Sequence, residues 1–551
     1  MSETVEGHGG ELALAAARAH GVQRMFTLSG AHVFPLYDAA VKAEQPLPLI
    51  DVRHEQTAVF AAEATAKLTR RPGLAVLTAG PGVTNGVSAI TTAHFNGSPI
   101  LVVGGRAPAF RWGSGALQEL DHPPLLAPVT KHASTVAEVA AIGAAVDEAL
   151  RLAGQPHRGP VFLDVPMDQL FSRAEAAAIT GPERTAIEPD PDQLGAVAEL
   201  LGAAQRPVLV LGSDVWTDGA EDAALRLVES VGLPVIANGM GRGIVPAGHR
   251  LLVTRARSRA FGTADLVIVA GTPLDFRLGY GVFGGKGGGA PAQVVHLADS
   301  AGQLARHCPL AASASGDLTL VLDGIRAAWA KLPKRHGYAG WADILNQDAH
   351  AAVARDAEVL GAASTPLHPA RVYGELVPRL ADDAVVIGDG GDFVSFAGRF
   401  VEPAQPGGWL DPGPYGCLGT GLGYAIAARL ARPSAQVVLL LGDGAAGFSL
   451  MDIDTLVRHR LPVVIIVGNN GVWGLEKHPM QFLYGYDVAA SLTPGTRYDE
   501  VARALGADGE TVIDPASLGE ALDRAFAADG PYLVNVLTDP AIAYPRSTTG
   551  V

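Results

Sequence analysis

Asp443 and Asn470 are the residues whose types and spacing first suggest chemistry. Asp443 follows an apolar run, Gln436 to Leu441 (QVVLLL), of the kind that a strand buried on both faces requires. Gly442-Asp443-Gly444 breaks that run, and Ala445-Ala446-Gly447 opens a helix without bulky side chains. Bare N–H groups at such a start, here those of Gly444, Ala445 and Ala446, suit an anion. A second apolar run, Pro462 to Val467, ends in Asn469-Asn470, so Asp443 and Asn470 stand 27 positions apart, each at the carboxyl end of a parallel strand. Both offer hard oxygen atoms, which Mg²⁺ prefers when it bridges to a diphosphate. A lone GDG would be an ordinary polar turn. GDG with NN at this spacing predicts a metal and diphosphate pocket.

Other stretches place polar atoms at the ends of expected elements. Glu55, in Arg53-His54-Glu55-Gln56, follows the apolar Leu49-Ile50 and precedes an Ala-rich helix expected over Thr57 to Leu68. On its own it is a carboxylate at a helix start, a partner for the dipole. Thr78 to Asn85 (TAGPGVTN) is a strand end followed by a Gly-Pro turn. Gly115 to Glu119 (GALQE) is a polar loop around Gln118, and Gly416-Cys417-Leu418-Gly419 precedes a helix of small residues from near Gly421. Gly388 to Phe393 (GDGGDF) follows a strand, and Gly391 and Asp392 can offer backbone N–H groups to an anion. Beyond Asn470 comes Gly471 to His478 (GVWGLEKH), with Trp473 and Glu476.

As a set, these motifs resemble those of thiamine-diphosphate (ThDP) enzymes, specifically the acetolactate synthase, pyruvate decarboxylase and 2-hydroxyacyl-CoA lyase group, which includes oxalyl-CoA decarboxylase-like members. The resemblance covers essentially the whole chain and implies a role for each stretch. Glu55 would stand beside N1′ of the aminopyrimidine and favour the tautomer that removes the C2 proton. Gly80 and Asn85 would line the pyrimidine side, and Gln118 the substrate pocket. The carbonyl of Gly416 would accept from the 4′-amino group, while Leu418 would be the apolar wedge that bends the cofactor. Mg²⁺ would be held by Asp443, Asn470 and the main-chain oxygen of Val472, beside Trp473. Glu476 falls where pyruvate decarboxylases carry an active-site Glu, and would move a proton to or from the substrate hydroxyl. Pyrimidine and diphosphate residues lie in different domains, so the resemblance also implies a homodimer or homotetramer with sites at the dimer interface.

Helix and strand patterns alternate throughout, which predicts an α/β chain of three doubly wound parallel-sheet domains. The expected divisions are 1–172 (pyrimidine-binding), 190–330 (central) and 365–551 (diphosphate-binding). Linkers are expected at Ser172 to Pro191 and around Lys331 to Gly340, and a surface loop at Gly284 to Gly289 (GGKGGG). Charged residues make up only 18% of the chain and the net charge is −15, which argues against binding a nucleic-acid backbone. No apolar run reaches membrane-span length, and the polar start MSETVEGHGGE shows no signal peptide, so the expected compartment is the cytoplasm. Cys308 and Cys417 belong to no metal-binding pattern.

Two reactions compete for the site, with an acyl-CoA or a 2-oxoacid as the small-molecule substrate. The block Gly421 to Ala428 (GLGYAIAA) and the arginine-bearing stretches around Arg257 and Arg277 resemble the lyase and oxalyl-CoA decarboxylase branch. There the central domain binds an adenine nucleotide or CoA, and Arg257 and Arg277 would meet its phosphates. The Gln-Trp pair of acetolactate synthases is missing after the metal motif. Little sequence follows the last strand run (PYLVNV) from which to build a lid over an acyl-CoA, which weighs the other way. The sequence reading therefore sets 2-hydroxyacyl-CoA lyase ahead of acetolactate synthase. It keeps a flavin oxidase with bound FAD, and a non-catalytic nucleotide-binding relative, as further alternatives.

Overall fold

A computed structural model describes residues 4–181, 186–333 and 337–545. Three parallel sheets carry the chain, as the alternating patterns require. The first runs, edge to edge, Leu49–Asp51, Met25–Thr27, Gly73–Leu77, Ile100–Arg106, Val161–Pro166, His132–Thr135. The second runs Val235–Ala237, Pro207–Leu211, Leu266–Ala270, Gln293–Ala298, Ala312–Ser315. The third runs Trp409–Leu410, Val385–Asp389, Val437–Gly442, Val464–Asn469, Tyr532–Leu537, Asp508–Val512. Counted within each unit, the first and third sheets share the strand order 2-1-3-4-6-5. The sequence shows no repeat between them; the duplication is one of topology alone.

Strand periodicity sends alternate residues to opposite faces. Met25, Leu74, Val76, Leu101 and Val103 meet one helical layer, whereas Phe26, Ala75, Leu77, Ile100 and Val102 meet another. That second core also takes in Val385, Ile387, Val437, Leu439 and Leu441 of the third sheet, so the first and third units share it. Its centre is the crossing of helices Glu55–Thr69 and Thr420–Ala431, each buried along most of its length. Small residues permit the close approach: a Cβ on Gly423 would stand 2.7 Å from Cβ of Phe60.

The central strands lie within a residue or two of where their apolar runs predict. Four strands of the three parallel sheets carry no such run: His132–Thr135, Ala312–Ser315, Trp409–Leu410 and Asp508–Val512. All four lie at sheet edges, where one side needs no buried ladder. The stretch expected to be a linker from Ser172 begins instead with a strand, Arg173–Ala177, paired antiparallel with Thr4–His8. Residues 182–185 of that stretch, and 334–336 of the other expected linker, lie outside the described residues. The second linker runs into a 22-residue helix, Ala339–Leu360, which the apolar pattern does not announce. Its buried Asp356 holds Arg255 of the central unit and Arg399 of the third. Gly284 to Gly289 is an exposed loop around a short turn, as expected. Among the described residues, no helix is long and apolar enough to cross a membrane.

Candidate functional site

In a doubly wound sheet, the crevice opens where neighbouring strands send their connections to opposite sides. In the third unit that point lies between Val385–Asp389 and Val437–Gly442. The segments leaving their carboxyl ends are Gly390 to Asp392 and Asp443 to Ala446, so the fold brings both predicted diphosphate loops to one cavity. Asn470, Val472 and Trp473 reach the same cavity from the end of Val464–Asn469.

Asp443 is buried and held from two sides: its Oδ1 accepts from the N–H of Gly444 (3.0 Å) and its Oδ2 from that of Gly471 (2.7 Å). Burial outweighs those hydrogen bonds and pushes its carboxyl up to about 6. Asn470 Oδ1 accepts from the N–H of Val472 (3.1 Å), which orders the turn. Two glycines keep the cavity open. A Cβ on Gly444 would stand 2.5 Å from the Trp473 ring, and one on Gly390 2.0 Å from Leu418 Cδ2. Among the described residues no three His, Cys, Asp or Glu side chains cluster as metal ligands. One carboxylate, one amide oxygen and one main-chain carbonyl nevertheless make a donor set that suits Mg²⁺ completed by phosphate oxygens. The residues present therefore fit a magnesium diphosphate.

Leu418 lines this cavity, whereas Gly416 (φ +70°) has open space on its side-chain face. Asp389 fixes the turn between them and the following helix: its carboxylate accepts from the N–H groups of Gly419 (3.0 Å) and Gly421 (2.9 Å). Asp392 is buried too and lines the cavity, and its carboxylate accepts from the N–H of Tyr544 (3.0 Å). Glu476 is exposed on the first turn of helix Gly474–Tyr484 and lines the cavity's rim.

The residues expected on the pyrimidine side, Glu55, Gly80 and Asn85, lie at the first sheet. Glu55 opens helix Glu55–Thr69 behind the N-cap His54 and is only 7% exposed. Its Oε2 accepts from Asn85 Nδ2 (3.0 Å), and a Cβ on Gly82 would come within 3.8 Å of its Oε1. Gly80 (φ +58°) packs directly on Gln118, whose own φ is +61°. Asp452 anchors the start of the Glu55 helix, accepting from the N–H of Arg53 (2.8 Å) and from Thr57 Oγ1 (2.7 Å). Glu55 itself does not line the diphosphate cavity of its own chain. Asp389 and Asp452 were missed from sequence; their one visible signal is an acid beside apolar or glycine-rich residues at an element end.

The central arginines come together, with their donors engaged internally. Arg277 forks onto Asp275 (Nη2 to Oδ2, 2.7 Å), and the Arg257 guanidinium donates to the carbonyl of Arg277 and lies over Phe261. Burial lowers Arg257 to about 10. Arg277 lines a cavity where the three units meet, with Lys67, Asn96, Ser213, Thr272 and Asp411; Arg257 does not.

The structure thus has three α/β units, with a crevice lined by Asp443 and Asn470 on the third and a buried glutamate, Glu55, on the first. The chain matches the thiamine pyrophosphate enzyme N-terminal TPP binding domain over residues 7–125, the central domain over 194–325 and the C-terminal TPP binding domain over 389–536. It is 51% identical to an acetolactate synthase large subunit of Mycobacterium tuberculosis, covering 98% of this chain and 97% of that protein. A probable acetolactate synthase of Mycobacterium bovis matches equally. A 2-hydroxyacyl-CoA lyase 2 of Caenorhabditis elegans is 34% identical, covering 98% of this chain and 90% of the lyase. The chain belongs to the thiamine pyrophosphate enzyme family and is a ThDP-dependent enzyme.

Proposed function

We propose that the enzyme decarboxylates a 2-oxoacid and joins the remaining acyl unit to a second 2-oxoacid, as an acetolactate synthase does. The observation that carries this reading is the 51% identity to acetolactate synthases over nearly the whole chain, against 34% to the lyases. It reverses the order expected from sequence motifs alone. The arginines that favoured a CoA substrate weigh less now that their donors face Asp275 and a carbonyl.

When bound, ThDP supplies a nucleophilic thiazolium carbon and an electron sink for the C–C bond that breaks. Asp443, Asn470 and the Val472 carbonyl hold Mg²⁺, and the N–H groups of Gly444 to Ala446 and of Gly391 and Asp392 meet the diphosphate. Leu418 would pack against the cofactor as its apolar support, and the Gly416 carbonyl would accept from its amino group. Glu55, steadied by Asn85, holds the proton at N1′, and Gly80, packed against Gln118, lies on the pyrimidine side. Gln118 faces the substrate, and Glu476 delivers a proton to the oxygen of the new alcohol. Glu55 is not among the residues lining the Asp443 cavity of its own chain, which supports a homodimer, alone or paired as a tetramer, whose sites form between subunits. An adenine nucleotide, CoA or FAD on the central unit would dock at the carboxyl ends of Pro207–Leu211 and Leu266–Ala270, by analogy with other doubly wound sheets.

The 2-hydroxyacyl-CoA lyase reading keeps one specific support: the Gln-Trp pair of acetolactate synthases does not follow the metal turn. One assay separates the two. The protein with ThDP and Mg²⁺ is offered pyruvate alone, or formyl-CoA with an aldehyde or ketone. Acetolactate from pyruvate is the expected product. Formyl-CoA condensation without acetolactate would overturn the proposal in favour of the lyase.

A further inference from the structure

Gly80 begins the turn that carries Gly82 and Asn85, both beside the Glu55 carboxyl. Its φ of +58° is one that glycine adopts freely and L side chains do not, so the backbone there is pliable and its partners set the turn. The holder is His122, which is fully buried. The N–H of Gly80 points at His122 Nε2 (3.0 Å), which fixes that nitrogen as the acceptor and Nδ1 as the N–H. Nδ1 in turn donates to Oδ2 of Asp164 (2.8 Å), also fully buried, and Arg106 Nη1 donates to the same oxygen (2.8 Å). Arg106 is itself seated on the Trp112 ring, 3.8 Å away. A second buried histidine repeats the bridge: His32 Nδ1 meets Thr78 Oγ1 (3.1 Å), and the Leu117 carbonyl is its other partner. Burial, with a smaller push from His122, holds His32 below its ordinary pKa against the opposing pull of that carbonyl.

A surface loop would not need a buried ion pair and two histidines to register it. These groups tie the strand-end turn Thr78 to Asn85 to the loop Leu117 to His122, so that Glu55's partner Asn85 and the substrate-facing Gln118 move as one body. We propose that His122 is a positioning residue: through the Gly80 N–H it sets the turn that orients Glu55 and Gln118. This rests on the reading of Glu55 and Gln118 given above.

The ring nitrogens of histidine have separate amide counterparts, which makes the test specific. In His122→Gln, Oε1 falls where Nε2 stands and can still accept from Gly80. In His122→Asn, Nδ2 replaces the Nδ1–H toward Asp164 and the Gly80 acceptor is lost. The first readout is amide hydrogen exchange over residues 74–90 in protein without substrate, and the second is kcat and KM with pyruvate, ThDP and Mg²⁺. Expected are wild-type protection and near wild-type kcat in the Gln variant. The Asn variant should exchange faster at the turn and lose about tenfold or more in kcat, with little change in KM. Should the Asn variant not fold, His122→Leu is compared with the Gln variant on the same readouts. Wild-type kcat or unchanged exchange in a variant lacking the acceptor overturns the proposal. A wild-type enzyme inactive on pyruvate, while exchange still separates the variants, would instead overturn the functional reading.

Discussion

Glu55 and Glu476 differ in what surrounds them, and that difference should appear in their variants. Glu55 is buried, opens a core helix and is hydrogen-bonded to Asn85, so its carboxyl has one orientation. Glu476 is exposed on the first turn of a helix of which only Gly474 is buried. Glu55→Gln is expected to lower the steady-state rate by about a hundredfold or more, since a positioned acid–base group contributes on that scale. Glu476→Gln should cost about tenfold to a hundredfold in kcat while leaving ThDP affinity unchanged, as measured by titrating the apoprotein with cofactor. A Glu476→Gln enzyme with the full wild-type rate would remove it from the proton path. Side chains such as these are legible in the sequence because a carboxylate next to a glycine turn or a helix start has few structural duties. Asp389 and Asp452 are harder to read, because their partners are backbone N–H groups and a threonine that become neighbours only after folding.

The helix Thr420–Ala431 shows how an element can depend on one buried acid. It begins after Gly419, a left-handed residue that offers no side-chain cap, so its first N–H groups turn to Asp389 on the neighbouring strand. Burial pushes this carboxyl up to about 6, against the opposing effect of the hydrogen bonds from Gly421, Gly419 and Thr420. The ordinary value lies near 4, so between about pH 4 and 6 the folded protein holds a proton that the unfolded chain releases. Asp389 therefore adds stability at low pH that is lost as pH rises through this window, and is flat above it. The shift of roughly two units corresponds to about 3 kcal/mol. Denaturant unfolding of the wild type and of Asp389→Asn should show the wild type gaining about that much relative to the variant between pH ~7 and ~4. A constant difference across the range would mean that Asp389 stays ionised in the fold. At this scale the strands with continuous apolar runs could be read from sequence, the edge strand Val235–Ala237 among them, and the four edge strands without such runs could not. The helix Ala339–Leu360 was hidden for a related reason: it buries few side chains and is held by Asp356 to arginines distant in sequence.

Over the whole molecule, the first and third units share one strand order and one hydrophobic core, and each opens its crevice at the same place in its sheet. Glu63, fully buried where their two helices cross, accepts from Asn96 Nδ2 (2.7 Å) and Tyr424 OH (2.9 Å), so the contact is specific as well as apolar. Yet that packing leaves Glu55 outside the cavity of Asp443, and it leaves apolar side chains uncovered beside both halves. Phe110, Trp112 and Leu117 are exposed next to Gln118, as are Phe482, Tyr484 and Tyr486 beyond Glu476. The homodimer proposed above requires that a two-fold-related copy bring Glu55 of one chain to Asp443 of the other, and these exposed side chains are candidates for its interface. Complementation tests this arrangement directly. Glu55→Gln and Asp443→Ala chains, each inactive as a homodimer, are co-expressed under two affinity tags, and the mixed dimers are isolated through both. If sites form between chains, each mixed dimer has one doubly altered site and one intact site, and it should recover about half the wild-type activity. If each chain builds its own site, every site carries one lesion and the mixed dimers stay inactive.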